Sequence, residues 1–347
     1  MSLPFDVPGP RYRTRQVSRW VYRRFASSFE EMTDLPAALR AELAERVGSV
    51  RPAPVTTQRA DAGATVKALF PGSYETVAMR YGPSAAEGGE IGYGRRTVCV
   101  SSQAGCGLGC TFCATGQMGL VRNLDAFEIV SQVLWAGSVF GERPTNVVFM
   151  GMGEPLANYD AVVSSIRSIK DDVGISARRI VVSTVGLVPG IERLAGEDLP
   201  VTLALSLHAP DDETRSKIVP VNRRWPVAAC LSAAKAFRRA HGRRVSIEYA
   251  LIAGVNDNSW QAGELARLIR GTDIHVNLIP LNPTAGFGAP ASMRVEEFAG
   301  ELGAAGVNAT VRDTRGREID AACGQLATRG APGEAPARSD DPAGETR

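Results

Sequence analysis

No stretch of this 347-residue chain approaches the ~20 consecutive apolar residues of a membrane-spanning helix. The opening residues, Met1 to Pro10, carry neither the basic segment nor the apolar run of a signal peptide. These absences predict a cytoplasmic protein without membrane association. Net charge is only +2, so nucleic-acid binding cannot be argued from the total. Cysteine is scarce, six in all. Without an export signal those thiols should stay reduced, which disfavours a disulfide framework and favours metal or catalytic roles.

What is present is concentrated. Cys106, Cys110 and Cys113 share one glycine-broken loop, Cys106-Gly-Leu-Gly-Cys110-Thr-Phe-Cys113. Three clustered thiolates suit a soft metal centre. A four-iron, four-sulfur cluster wants one ligand per iron, so three cysteines leave one iron open for chemistry. Structural zinc would need a fourth Cys or His nearby, and the next histidine is His208. A disulfide pair would leave one thiol unexplained.

Charge is also unevenly spread. The first 25 residues hold Arg11, Arg13, Arg15, Arg19, Arg23 and Arg24 against Asp6 alone, and further knots occur at Arg223-Arg224 and from Lys235 to Arg244. Such clusters can track a phosphate backbone or simply be solvated helix faces. Helical periodicity is expected at 14–25 and 35–47, then a β-like stretch at 65–79 and a flexible loop at 82–94. From Arg96 onward strand-like runs at 97–102, 146–150, 180–184, 201–207, 245–252, 275–279 and 309–312 alternate with amphipathic helices. That alternation predicts an α/β fold with a parallel sheet and crossover helices. Ligands in such sheets gather beyond the carboxyl ends of the strands. The cysteine loop, Gly151-Met-Gly-Glu154, Ser183, Ser206-Leu207-His208 and Pro280-Leu-Asn282 all fall at such ends. The divisions expected are a basic helical unit at 1–60, a β-like linker carrying Glu75 at 61–94, the α/β domain at 95–329 and a disordered tail at 330–347. Cys230 reads as a small buried hydrophobe.

A three-cysteine cluster at the mouth of a parallel sheet resembles the radical S-adenosylmethionine superfamily. The resemblance implies a partial (β/α)6-type barrel, a [4Fe-4S] cluster on Cys106, Cys110 and Cys113, and S-adenosylmethionine chelated at the open iron. Gly153 and Glu154 fit the cofactor's ammonium group. With Cys99-Val-Ser-Ser-Gln-Ala-Gly-Cys106, Leu205-Ser-Leu-His208 and the stretch around Cys323 added, the chain looks like the dual-specificity RNA adenine-C2 methyltransferase family. That likeness adds Ser183, Ser206, Leu207, His208 and Asn282 as cofactor-binding residues, and two S-adenosylmethionine molecules per turnover. It implies that Cys323 accepts a methyl group, that a radical step joins this carbon to adenine C2, and that Cys99 then attacks Cys323, leaving a disulfide. Glu75 would take the C2 proton. The implied partners are ribosomal and transfer RNA, gripped by the basic N-terminal unit, and a reducing electron-transfer partner, with the enzyme acting as a monomer. A sister activity at adenine C8 would use the same five cysteines, and an iron–sulfur RNA-binding protein without turnover is a third reading.

Overall fold

The protein is described from a computed structural model covering residues 3–82 and 94–327. The loop expected at 82–94, apart from its two end residues, and the tail expected at 330–347 lie outside the described residues.

Two helices open the chain, α1 (Arg11–Arg24) and α2 (Ala37–Val47). Strands β1 (Thr56–Ala60), β2 (Thr65–Phe70) and β3 (Tyr74–Arg80) follow as an antiparallel meander. The single β-like stretch expected at 65–79 is therefore two strands. Gly72 (φ +84°) and Ser73 (φ +62°) turn the chain between them in the left-handed region. β1, which lies within the stretch expected to be part of the helical unit, pairs with β2.

Next come β4 (Arg96–Cys99), then β5 (Gln103–Gly105), helix α3 (Ala114–Met118) and β6 (Leu120–Asn123), with β5 and β6 pairing as a separate small sheet around the cysteine loop. The alternating part continues through α4 (Ala126–Phe140), β7 (Asn146–Phe149), α5 (Tyr159–Ser168), β8 (Ile180–Thr184) and α6 (Val188–Ala195). It closes with β9 (Thr202–Ser206), α7 (Asp212–Ile218), α8 (Val227–His241), β10 (Val245–Leu251), α9 (Ser259–Ile269), β11 (His275–Pro280), α10 (Val295–Ala304) and β12 (Ala309–Val311).

One ten-stranded sheet results, in the order β1-β2-β3-β4-β7-β8-β9-β10-β11-β12. From β4 onward every neighbouring pair is parallel, as the strand–helix alternation requires. The meander joins through β3, which runs antiparallel to β4 with Val77 opposite Cys99. This curved, mostly parallel sheet with outer helices is the expected fold class.

The N-terminal helices are fastened to the barrel. Val17, Val21 and Tyr22 bury one face of α1, and the Phe25 ring fills a notch over Gly137 of α4, where a β-carbon would lie 2.6 Å from the ring. Arg23 donates to the carbonyls of Val173 (2.9 Å) and Asp171 (3.2 Å). No described helix is long and apolar enough to cross a membrane.

Candidate active site

The residues at the carboxyl ends of the parallel strands do converge. They line one cleft, which with the open space at its mouth spans about 950 Å³. Gly153, Glu154, Ser183, Ser206, His208 and Asn282 contribute to its wall, as do Cys110, Cys113 and Cys323. Four sequence candidates stand off that wall. Leu207 is fully buried, with its carbonyl taken by Arg215 Nε at 2.8 Å. Cys106 belongs to the same loop as Cys110 and Cys113 but is not part of the cleft lining. Cys99 opens instead onto a smaller adjoining cavity, whose wall includes Cys323, Met150 and Arg312. Glu75 lies behind, buried on β3 beside Lys67 at 3.3 Å.

A short run on the way to the cysteine loop wires these parts together. Gln132 of α4, fully buried, accepts from Ser101 N–H (2.8 Å) and Thr76 Oγ1 (2.6 Å) and donates to Ser101 O (2.9 Å). Ser101 Oγ donates to the Glu75 carbonyl (2.5 Å) and accepts from Met152 N–H (2.8 Å). Gln103 Oε1 accepts from Glu154 N–H at 2.9 Å. Asn158 spans the carbonyls of Ser102 and Leu124. The Ser-Ser-Gln segment thus sets the relative positions of Glu75, the cysteine loop and the Gly-x-Gly turn. Its sequence shows only polar residues after a strand, and most of their partners are tens of residues away along the chain, so periodicity could not reveal them.

Gly153 has φ +96°, and a β-carbon there would lie 2.6 Å from the Gln103 side chain. The next residue, Glu154, is buried with both oxygens engaged, Oε1 by Leu156 N–H (3.0 Å) and Oε2 by Val185 N–H (2.9 Å). Burial outweighs these bonds and pushes its pKa up to about 7. In metal-free protein the folded state therefore keeps a proton that the unfolded chain, titrating near 4.5, has released. The associated stability is complete below about pH 4.5 and is lost as pH rises through about 7. We expect Glu154→Gln to flatten this fall in urea midpoints measured between about pH 5 and 8. A wild-type slope retained in the variant would assign the titration to another group.

His208 sits at φ +61°, a strained conformation for a residue other than glycine. Asn256 holds that conformation by donating to the His208 carbonyl (2.6 Å). The imidazole Nδ1 accepts from Ala250 N–H (3.0 Å), so its one proton is on Nε2. Burial, with help from Arg215, pushes its pKa down to about 3, and the ring is neutral at physiological pH. Ser183 and Ser206 share a hydroxyl–hydroxyl bond of 3.1 Å.

Arg215 was not apparent from sequence. It is fully buried and donates to the carbonyls of Leu207, Val185, Ser206 and Trp225 and to Asn222 Oδ1. It ties together the ends of β8 and β9, which carry the serines and His208. Cys230, fully buried, packs against it at 3.8 Å.

The segment carrying Cys323 is pinned over the cleft. Asn282 Nδ2 donates to the Cys323 carbonyl (3.1 Å), Ala114 N–H to Gly324 O (2.8 Å) and Thr115 Oγ1 to Leu326 O (2.5 Å). Arg312, paired with Glu248 at 3.6 Å, feels both Cys323 and Cys99. Burial, then the neighbouring Cys323, pushes the Cys99 thiol up to about 12. Glu75 is raised above the ordinary carboxyl range by burial, which the Lys67 charge only partly offsets. Its Oε2 has no hydrogen-bond partner among the described residues.

Two segments match family models: residues 7–48 the ribosomal RNA large subunit methyltransferase N-terminal domain, and residues 100–266 the radical SAM superfamily. A probable dual-specificity RNA methyltransferase RlmN from Salinispora tropica is 54% identical over 95% of this chain and 91% of that protein. The chain belongs to the RlmN family. A probable RlmN from Mycolicibacterium paratuberculosis is 51% identical over 92% of this chain and 90% of its own length. The crystal structure of a radical SAM methyltransferase from Sphaerobacter thermophilus is 50% identical, with a TM-score of 0.83 over 91% of this chain and 93% of that one.

Radical SAM proteins use a [4Fe-4S] cluster and S-adenosylmethionine, and the thiols of the cysteine loop and the polar lining of the cleft beside it are of the chemistry these groups need. Burial raises the thiols of Cys106, Cys110 and Cys113, Cys106 to about 12, so an iron centre held there would have to supply the cation that draws off the protons. Among the described residues no three Cys, His, Asp or Glu side chains converge on a single metal ion. Asn282 Oδ1 is buried in the wall of the cleft without a hydrogen-bond partner among the described residues, an acceptor awaiting a donor.

Proposed function

We propose that this chain is a radical S-adenosylmethionine methyltransferase that places a methyl group on C2 of an adenine in large-subunit ribosomal RNA and in transfer RNA. The observation that carries the reading is the position of Cys323. It is the one cysteine on the wall shared by the cofactor cleft and the small cavity lined by Cys99.

Cys106, Cys110 and Cys113 would hold the cluster. Gly153, Glu154, Ser183, Ser206, His208 and Asn282 would hold S-adenosylmethionine, with Arg215 fixing the loops that carry several of them. When bound, cluster and cofactor supply a methyl group and, after one-electron reduction by a separate redox partner, a 5'-deoxyadenosyl radical. The chain's own part is to carry the carbon on Cys323 and to present it to the base. Glu75, with its raised pKa and unpartnered oxygen, takes the proton from C2. Cys99 gives up its thiol proton and bonds to the Cys323 sulfur, the sulfur–carbon bond breaks, and the freed carbon takes up a proton, leaving the base methylated and a Cys99–Cys323 disulfide for the redox partner to reduce. The buried polar knot from Ser101 to Gln103 keeps the participating loops in register while the cleft excludes water.

Nucleoside mass spectrometry on RNA from cells lacking the gene tests this. We expect 2-methyladenosine to disappear from ribosomal and transfer RNA fractions and to return with the wild-type gene. Loss of 8-methyladenosine with 2-methyladenosine intact would overturn the C2 assignment in favour of C8. No change in either would overturn the substrate.

A further inference from the structure

At the amino ends of β4, β7 and β8, on the side of the barrel opposite the cleft, lies a second concavity, open to solvent. Arg23, Arg95, Arg96, Arg143 and Arg179 line it against Glu142 alone, five positive charges to one negative. Two of the five are held in place. Arg23 donates to the carbonyls of Val173 and Asp171, and Arg96 pairs with Glu142 at 3.1 Å and donates to Arg143 O at 3.2 Å. The Arg95 guanidinium sits over the Tyr81 ring, 4.0 Å from its centroid. Arg143 and Arg179 differ: among the described residues no ion pair or side-chain hydrogen bond engages either one. Gly174, with φ +82°, separates two of the guanidinium groups so narrowly that a β-carbon there would collide with Arg23 and press on Arg143.

Five like charges crowded around one counterion repel one another, and a bound polyanion reverses the sign of that energy. The positive surface also continues beyond the concavity. Arg15, Arg19 and Arg23 are exposed and four residues apart on α1, so they form a ridge that repeats every ~6 Å and ends in the concavity. A row of charges leading into a basic hollow suits a polymer better than an isolated phosphate.

We infer that this concavity, which continues the basic N-terminal helix onto the barrel, binds the phosphodiester backbone of the RNA at a place remote from the base being modified. The inference rests on the RNA-methyltransferase reading above. Strands β4, β7 and β8 are only four or five residues long, so the concavity and the cleft lie at opposite ends of short strands. Guanidinium groups reading phosphate carry no base information. This grip is therefore common to RNAs of different sequence.

The test is the salt dependence of RNA affinity. Arg143→Ala/Arg179→Ala removes two side chains that make no ion pair or hydrogen bond within the described fold. A transfer RNA transcript is titrated by fluorescence anisotropy against wild type, this double variant, and the charge-matched control Lys217→Ala/Arg267→Ala, whose residues sit in exposed ion pairs elsewhere. The expected result is a slope of log affinity against log salt that is shallower by about two in the Arg143/Arg179 variant only. Equal slopes in the double variant and wild type overturn the inference while leaving RNA binding itself intact. Failure of wild type to bind RNA overturns the RNA reading as well. Calorimetry with tripolyphosphate separates the remaining source of phosphate: tight binding lost in the double variant, with an unchanged RNA slope, makes the concavity a small-anion site and overturns the RNA assignment.

Discussion

Cys323→Ala is expected to stop methylation while leaving the fold and the iron content of the protein unchanged. The losses should be at least about 10³-fold in single-turnover methyl transfer, the scale for removing a covalent nucleophile. The fold survives because what anchors this segment is backbone. Asn282 donates to the Cys323 carbonyl, and Gly324 and Leu326 offer their carbonyls to Ala114 and Thr115. None of these bonds involves the thiol. Cys99→Ala should fail differently. The carbon would still reach Cys323 and the base, but nothing would break the sulfur–carbon bond, so a protein–RNA adduct should persist on a denaturing gel. An adduct in Cys323→Ala and none in Cys99→Ala would mean that the two thiols have exchanged roles.

Arg215→Met is expected to cost about 3–5 kcal/mol of stability, the range for removing one partner of a buried charged network. The side chain has no exposed surface. Its loss would strand the carbonyls of Val185, Ser206, Leu207 and Trp225 and the Asn222 amide oxygen in the interior. Lysine should not rescue it, because one ammonium cannot reach acceptors that converge on a planar fork. The site should suffer beyond the stability loss. Val185 and Ser206 are both on the cleft wall, so the concentration of S-adenosylmethionine needed for half-saturation should rise in whatever fraction remains folded. A stability within about 1 kcal/mol of wild type would show that water or neighbouring donors replace the guanidinium, and that the network is not what holds these loops.

Much of this site is legible in the sequence because its parts lie at strand ends. Alternating apolar runs mark β7 at Asn146–Phe149 and β8 at Ile180–Thr184, and a parallel sheet must bring its carboxyl ends to one side. Cys110, Cys113, Gly153, Glu154, Ser183, Ser206, His208 and Asn282 then share a face by topology alone. Leu207 shows the limit of that logic. It occupies a strand end like its neighbours, yet its side chain turns into the core, since adjacent residues on an extended chain point to opposite sides.

What periodicity misses is pairing between distant segments. β1, with the polar sequence Thr-Thr-Gln-Arg-Ala, has no apolar alternation to betray it and exists because β2 offers an edge. The strands β5 and β6 are three and four residues long, too short to register as a pattern, and they close around the cysteine loop only once both flanks are in place. The meander's attachment through β3 is likewise a tertiary choice. It sets Val77, two residues from Glu75, opposite Cys99.

Residue type and local spacing dictate the chemistry: three thiols in one loop, two more far apart, a glutamate on a strand and a parallel α/β frame to collect them. The folded arrangement is needed for the rest. It stands Cys323 between the two cavities, leaves the proton of His208 on Nε2, locks the loops through Arg215 and Gln132, and gathers five arginines from four segments beneath the barrel. Each of these depends on hydrogen bonds or packing between residues far apart along the chain, and local sequence carries no record of such meetings.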